Sequence, residues 1–193
     1  NMSHITAITY YVPIDDSHVG DTVRCVTSYM HYVDRFIVIE NGLGVDGTAV
    51  RILSDVYVMN RVNKLMAGAV NMGYGLASIF KDSEYLLFID NGTTAFQGLD
   101  RKTLMTDGIA SPHIGNQPAE MRAHGSCFCL HKDTFKKIGL WNSDYGNAAD
   151  KEWIERAMGL GIPTYQTEDV VDHQHARKTT GAVEETKMII ELI

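Results

Sequence analysis

The chain has 193 residues, of which 45% are hydrophobic and 21% charged, and its formal net charge is −7. This length and composition predict one globular domain with a substantial core, and the scattered acidic residues argue against an extended nucleic-acid-binding face. No apolar stretch approaches the length of a membrane span and no signal peptide opens the chain. Three cysteines without a CxxC pair predict reduced core thiols, no cysteine-based zinc site and a cytoplasmic location.

Strands and helices alternate along the first half of the chain. Hydrophobic periodicity predicts helices over 19–33 and 65–80, with Asp16 or Ser17 as the candidate N-cap of the first. Another short helix is expected between the second and third strands. The predicted strands are Ile5–Val12, Arg35–Glu40, Val56–Met59 and Tyr85–Ile89. Such alternation predicts an α/β fold with a mostly parallel sheet and right-handed crossovers.

The central strand carries the strongest functional signal. Tyr85–Ile89 is an unbroken apolar run, typical of a strand buried on both faces, and it ends in Asp90-Asn91-Gly92. A carboxylate at the carboxyl end of a central strand lies where open α/β sheets bind ligands. The alternative is that Asp90 only starts a turn, since Asp, Asn and Gly are all turn residues.

Two other strands end in similar residues. The second strand stops at Glu40-Asn41-Gly42, and the first ends beside Tyr10 and Tyr11. Acidic and aromatic groups at one sheet edge suit a nucleotide, because carboxylates accept from base and ribose donors and aromatic rings stack on the base. The absence of GxGxxG after the first strand and of GxxxxGK[ST] disfavours Rossmann dinucleotide enzymes and P-loop NTPases.

The second half has a mixed pattern. The predicted helices are Lys132–Ile138, ending at Gly139, the acidic-start helix Asp150–Gly159, and the tail Val183–Ile193. Loops are expected at Gly115–Glu120 and from Trp141 to Asn147. The predicted strands are Asp107–Ile114, Arg122–His131, Pro163–Gln166 and Asp169–His173.

The order of these elements resembles the family 2 glycosyltransferases of the GT-A fold over nearly the whole chain. The resemblance rests on Glu40-Asn41-Gly42, on the Ala-x-Asn-x-Gly helix of residues 69–77, and on Asp90-Asn91-Gly92 for the Asp-x-Asp element. It continues through Ile138-Gly139-Leu140-Trp141, then residues 149–156 for Glu-Asp-x-Asp-Leu-x-x-Arg, and a strand ending at His173. The resemblance implies a single GT-A-like domain over 1–193, with a nucleotide-binding half at 5–106 and an acceptor and catalytic half at 107–193.

The resemblance implies an inverting transfer of sugar from a nucleotide-diphosphate donor, most often a UDP-sugar, to an acceptor hydroxyl. Asp150 would be the general base, by its match to the catalytic Asp of the family; the alternative is an acid that only begins a helix. The Glu152 and Arg156 pair on the same helix is predicted to be structural.

Donor binding is expected from residues at the strand ends. Glu40 and Tyr11 are candidates for the base pocket, with core packing an open alternative for Tyr11. Asp90 would meet the ribose or a metal, and Asn91 is a further candidate for donor binding. Asn71 would support the ribose or the loop after the second strand, or else would stabilise helix packing.

A divalent cation, Mn or Mg, is implied by the resemblance, but Gly92 stands at the usual metal-binding Asp and Ala149 at the usual Glu. His173 and His175 would complete a site with Asp90. Arg177 and Lys178 would instead supply positive charge to the diphosphate, with solvated side chains as the alternative for all four.

His124 and Trp141 are the candidates for the acceptor side, Trp141 as a stacking face for a sugar, and either residue fits a core position equally well. The acceptor itself is not identified, a nucleic-acid acceptor is not favoured, and the Met-containing tail suggests a homo-oligomer. Two other functions stay open: a non-catalytic nucleotide-sugar-binding or scaffold domain, suggested by Gly92 and Ala149, and a metal-dependent hydrolase using His173 and His175.

Overall fold

The computed structural model describes residues 3–95, 99–115 and 125–173. Eight strands and six α-helices lie in these ranges, together with a 3-10 helix at Ser143–Ala148. The strands are β1 His4–Tyr11, β2 Arg35–Asn41, β3 Val56–Asn60, β4 Ser83–Asp90, β5 Thr93–Thr94, β6 Ile109–Ile114, β7 Cys127–His131 and β8 Thr164–His173. The helices are α1 Asp16–Tyr29, α2 Thr48–Ile52, α3 Leu65–Ile79, α4 Arg101–Leu104, α5 Lys132–Ile138 and α6 Ala149–Gly159.

The strands form one sheet in the order β3-β2-β1-β4-β7-β6-β8-β5. The pairs β2–β3, β1–β2 and β1–β4 are parallel, so the first half of the chain builds the parallel sheet that the alternation predicts. β7 runs antiparallel to both β4 and β6, which makes the second half mixed. The α/β prediction with a mixed second half is confirmed.

The sheet separates two apolar clusters, which alternation along the strands fills from both sides. On β4, Leu86 and Phe88 pack on the α3 face, and Leu87 and Ile89 pack on the α1 face. The cluster on the α3 face, called the α3-face cluster, includes Ile8, Phe88, Phe128 and Trp153. The cluster on the α1 face, called the α1-face cluster, includes Val26, Tyr29, Val38 and Cys127. The prediction that the central strand is buried on both faces is therefore confirmed.

The first helix begins and ends earlier than its periodicity predicts. Its N-cap is Asp15, whose carboxylate accepts hydrogen bonds from the backbone N–H groups of Ser17 and His18, so Asp16 and Ser17 are helical. The cap favours this start because the Asp15 side chain satisfies two otherwise unpaired donors. Beyond Tyr29 the chain turns, and Val33 packs on the α1-face cluster from outside the helix.

The second half also differs from the prediction in detail. β8 is one continuous strand where two short strands are expected, and its pairing with β6 shifts register between Ser111 and His113. A 3-10 helix occupies most of the expected loop after Trp141. β5 and α4 are short elements that carry no periodic signal. The tail helix predicted at 183–193 lies outside the described residues.

In the part of the chain that the structure describes, no helix combines the length and apolar character needed to cross a bilayer.

Candidate functional site

The centre of the candidate site is a pair of side chains at the carboxyl ends of β1 and β4. Tyr10 and Asp90 are direct partners in the parallel register of these two strands. Alternation places both on the α3 face, two residues beyond Ile8 and Phe88. Burial raises the pKa of the Tyr10 phenol well above its usual range, and the carboxylates of Asp90 and Asp150 raise it further. Tyr10 therefore stays a neutral hydroxyl beside two carboxylates.

The end of β4 is fixed by contacts from three sides. The Asp90 N–H donates to Ser126 O at 2.7 Å, and its Oδ1 accepts from the Gly92 N–H at 3.0 Å. The next residue faces the other way, because Asn91 Nδ2 donates to Thr22 Oγ1 of α1 at 3.3 Å. The side chains of Asp90 and Asn91 thus point to opposite faces of the sheet. The bond from the Gly92 N–H to the Asp90 carboxylate forms an Asx turn, while Asp90 also lies beside Tyr10.

Asp150 lies in the first turn of α6, where its negative charge suits the helix dipole. Its carboxylate packs against the backbone of Gly125, which precedes β7: a Cβ built on Gly125 would lie 2.6 Å from both Cβ and Cγ of Asp150. Gly125 is followed by Ser126, whose carbonyl accepts from the Asp90 N–H, so Asp150 on α6 and Asp90 on β4 lie near the same end of β7.

Tyr11 and Glu40 form a buried cluster on the other face of the sheet. Tyr11 is 1% exposed and Glu40 is 4% exposed. The Tyr11 hydroxyl donates to Glu40 Oε2 at 2.8 Å and lies 2.8 Å from the Tyr57 hydroxyl, which also donates to Glu40 Oε2. The backbone of Gly47, just before α2, covers the cluster.

This cluster changes how the predicted base pocket is understood. Burial, together with the hydrogen bonds of Tyr11 to Tyr57 and Glu40, keeps the pKa of the Tyr11 phenol far above its usual range. The Tyr11 ring is packed in the α1-face cluster, which matches the core alternative that the sequence leaves open. With the loop over Gly47 in this position, neither Tyr11 nor Glu40 presents a free face to a base.

Asn71 bonds to the backbone of Trp141 through both ends of its side-chain amide. Nδ2 donates to Trp141 O at 2.9 Å, and Oδ1 accepts from the Trp141 N–H at 2.9 Å. The loop after β2 is instead held by Asn41, which donates to Asn63 Oδ1 at 2.9 Å and accepts from the Lys64 N–H at 2.9 Å. Asn71 therefore does not support the loop after β2, which was one of the roles that the sequence left open; its two bonds instead hold α3 to the segment that follows α5.

Trp141 is 4% exposed and belongs to the α3-face cluster. Its ring stacks on Phe128 at a centroid distance of 6.0 Å and lies 5.9 Å from Trp153. Trp141 thus occupies a core position, one of the two roles that the sequence left open, because a sugar has no access to a ring packed between Phe128 and Trp153. Among the described residues its Nε1 is a buried donor without a hydrogen-bond partner.

The metal set implied by the sequence is incomplete in the described residues. No group of three or more His, Cys, Asp and Glu side chains converges there. Gly92 has no side chain to offer, and its N–H is used by the Asp90 carboxylate. Asp90 alone of the predicted ligands has a described side chain. The described donor set therefore does not fit a divalent cation by itself.

Several predicted site residues fall outside what the structure describes. These are His124, His175, Arg177, Lys178 and the side chain of His173, whose backbone pairs with Thr93 at the end of β8. Their predicted roles stay predictions.

Three contributors to this region were given no individual role from the sequence: Tyr10, Gly125 and Tyr57. The sequence places Tyr10 at the sheet edge, but only the pairing register shows that it lies beside Asp90, whereas Tyr11 points to the opposite face. The positions of Gly125 and Tyr57 depend on contacts between segments far apart in the chain, which no local pattern reveals.

The three cysteines lie behind this site as buried, reduced thiols, as predicted. Cys25 Sγ contacts Asp90 O at 3.7 Å, and the Tyr29 hydroxyl contacts Cys127 Sγ at 3.6 Å. Burial raises the pKa of the Cys127 thiol to about 12. These groups support the end of β4 from the α1 face and are not nucleophiles.

No protein-family model matches the chain, and no curated protein matches it. Solved structures do. The mannosyltransferase PcManGT from Pyrobaculum calidifontis, in complex with GDP-Man and Mn2+, matches with a TM-score of 0.70 and 15% identity, over 95% of this chain and 60% of that one.

Two further solved structures match in the same way. Drosophila β-1,4-galactosyltransferase 7, in complex with manganese, UDP-Gal and xylobiose, gives a TM-score of 0.60 and 14% identity over 92% of this chain and 73% of that one. TarS of S. aureus matches with a TM-score of 0.63 and 10% identity, over 93% of this chain and 38% of that one. The chain thus spans between about two fifths and three quarters of the length of these proteins, and it has the GT-A glycosyltransferase fold.

Proposed function

We propose that this chain is a glycosyltransferase domain that moves a sugar from a nucleotide-diphosphate donor to an acceptor hydroxyl, with inversion and with Asp150 as general base. The observation that carries the proposal is the position of two acids at the carboxyl edge of a GT-A sheet: Asp90 pairs with Tyr10 and bonds to Ser126, and Asp150 packs on the adjacent Gly125. Solved proteins of the same fold bind GDP-Man or UDP-Gal, which makes UDP- and GDP-sugars the donors to test.

The residues divide the work as follows. Asp150 removes the proton of the acceptor hydroxyl as that oxygen attacks the anomeric carbon. The bond between this carbon and the diphosphate oxygen breaks, and its electron pair leaves with the nucleoside diphosphate. Asp90 is proposed to orient the donor ribose, and Tyr10 to donate a hydrogen bond within the site, because a phenol that stays protonated beside two carboxylates is a donor.

A divalent cation would neutralise the departing diphosphate when bound, as the Mn2+ in two of the solved complexes suggests. In this chain Asp90, His173 and His175 are the proposed ligands, and Arg177 and Lys178 the proposed alternative source of charge. Because the described donor set is incomplete, no step above depends on the cation. The division into a donor half, 5–106, and an acceptor half, 107–193, with His124 on the acceptor side, is part of the same proposal.

The test begins with calorimetric titration of UDP and GDP into the protein, with manganese and with EDTA. We expect one nucleotide to bind, and the corresponding sugar donors then give a rate of nucleoside diphosphate release for the wild type and for Asp150→Asn. Loss of turnover with retained nucleotide binding supports the proposal. Binding without any turnover in either protein favours a nucleotide-sugar-binding domain, and failure to bind either nucleotide contradicts both.

A further inference from the structure

The segment Ile138–Trp141 leads from α5 towards the 3-10 helix and Asp150, and side chains hold all four of its backbone carbonyls. Three of these bonds come from α6, and the fourth comes from α3. The bonds are Arg156 Nη1 to Ile138 O (3.0 Å), Trp153 Nε1 to Gly139 O (2.7 Å), Arg156 Nη2 to Leu140 O (3.0 Å) and Asn71 Nδ2 to Trp141 O (2.9 Å).

The α6 donors are themselves well fixed. Arg156 makes two bonds of 2.9 Å to the two carboxylate oxygens of Glu152, which agrees with the structural role predicted for this pair. Trp153 is fully buried. The segment and α6 therefore form one unit, which we call the α6 unit (residues 138–159). Any contact that positions this unit on the sheet also positions Asp150.

Asn71 is a contact of this kind from α3. Its amide makes two bonds to the backbone of one residue, Trp141, and satisfies both the donor and the acceptor of that peptide position. The Trp141 ring then packs on Trp153, three residues after Asp150 and thus on the same side of α6. The chain of contacts runs from Asn71 through Trp141 and Trp153 to the turn that carries Asp150.

We propose that Asn71 is a positioning residue for Asp150, acting by locking the α6 unit against α3, and that it is not a ligand of the donor. This inference rests on the proposed role of Asp150 as base. It predicts that loss of the Asn71 amide misplaces the base while leaving the strand ends that face the nucleotide unchanged.

Two substitutions test this proposal. Asn71→Ala removes both bonds, and Asn71→Asp keeps an oxygen for the Trp141 N–H but places a second oxygen against Trp141 O. The matched control is Ser78→Ala, an exposed position on the same helix whose hydroxyl bonds only the Tyr74 carbonyl within α3, at 2.8 Å. If Asn71→Ala does not fold, Asn71→Asp carries the test, because it preserves the side-chain shape.

We expect both Asn71 variants to lower kcat by about 10- to 100-fold, since displacement of a reacting group by an ångström costs about that much. Nucleotide affinity is expected to stay within about twofold. In an Asp150→Asn background, Asn71→Ala is expected to cause no further loss, because the residue acts through the base that is already removed. Unchanged kcat, a parallel loss of nucleotide affinity, or full additivity in the double variant would overturn the proposal.

A second readout does not require activity. The chain has two tryptophans, Trp141 and Trp153, and both lie in the α6 unit, so intrinsic fluorescence reports on it directly. We expect altered emission and faster amide hydrogen exchange over residues 149–154 in the Asn71 variants and not in Ser78→Ala. If the wild type transfers no sugar, the proposed function fails while this readout still decides the contact: unchanged emission and exchange would refute it.

Discussion

Gly125→Ala tests whether the backbone before β7 sets the position of Asp150. The added methyl would lie 2.6 Å from Asp150 Cβ and Cγ, whereas ordinary contact begins at 3.4 Å. The two groups must therefore separate by about 0.8 Å, the difference of these distances. Rotation of the carboxylate does not relieve the clash, because Cβ is itself too close. Gly125 is not among the glycines with positive φ, so the effect is steric and not conformational.

Displacement of a reacting group by about one ångström lowers the rate about 100-fold, or about 2.7 kcal/mol of transition-state stabilisation. The assay is release of nucleoside diphosphate from the sugar donor selected by the binding titration, together with calorimetric binding of the nucleotide. We expect kcat to fall by this factor and nucleotide affinity to stay nearly constant, because Asp90 and its strand are not displaced.

The matched control is Gly75→Ala on α3, where an added Cβ meets nothing within 4 Å. We expect unchanged kcat and about 0.5–1 kcal/mol of added stability, because alanine favours a helix interior over glycine. If Gly125→Ala keeps wild-type kcat while Asp150→Asn loses it, the packing argument is refuted. If both variants keep it, Asp150 is not the base.

The remaining predictions concern the α1 face and the buried titratable groups. Gly47→Ala should lower the free energy of unfolding by about 1–3 kcal/mol in urea titrations, because the methyl would lie 2.5 Å from the Tyr57 hydroxyl; wild-type stability would show that the loop yields easily. At pH 11, the phenolate absorbance should correspond to fewer than nine ionised tyrosines in the native protein and to all nine after unfolding. Tyr10 and Tyr29 have raised pKa values, so their contribution to stability is complete below the unfolded pKa of about 10 and is lost as the pH rises above it; an unfolding free energy independent of pH above 10 would contradict this. A thiol reagent should label no cysteine in the native protein and three after unfolding, because Cys127 and the other two are fully buried; rapid native labelling would disprove that burial.

The architecture follows closely from local patterns. The buried run of β4 and the periodic apolar residues of α3 place both elements within two residues of their observed bounds. These signals survive because a strand buried on two faces and an amphipathic helix each need a repeating apolar pattern. The elements that the patterns missed, β5 and α4, have two and four residues, too few for any period to emerge.

The site is less predictable than the fold. Asp90 was selected because it stands at the end of the central strand, which the sequence pattern reveals, whereas Asp150 was selected by its match to the catalytic Asp of the family that the chain resembles. The choice of Tyr11 over Tyr10 was not decided by composition, because adjacent residues of a strand point to opposite faces and only the pairing register says which one accompanies Asp90.

The sequence by itself determined the alternation of elements, the acidic ends of β2 and β4, and thus a mostly parallel sheet with a polar edge; the GT-A fold was what its resemblance to family 2 glycosyltransferases implied. Tertiary structure alone decided that Glu40 is buried beneath Gly47 and that Asn71 bonds to Trp141, seventy residues away. The physical reason is the range of the interactions. Periodic burial is a property of neighbouring residues, whereas a hydrogen bond between distant segments exists only after the sheet and helices have packed.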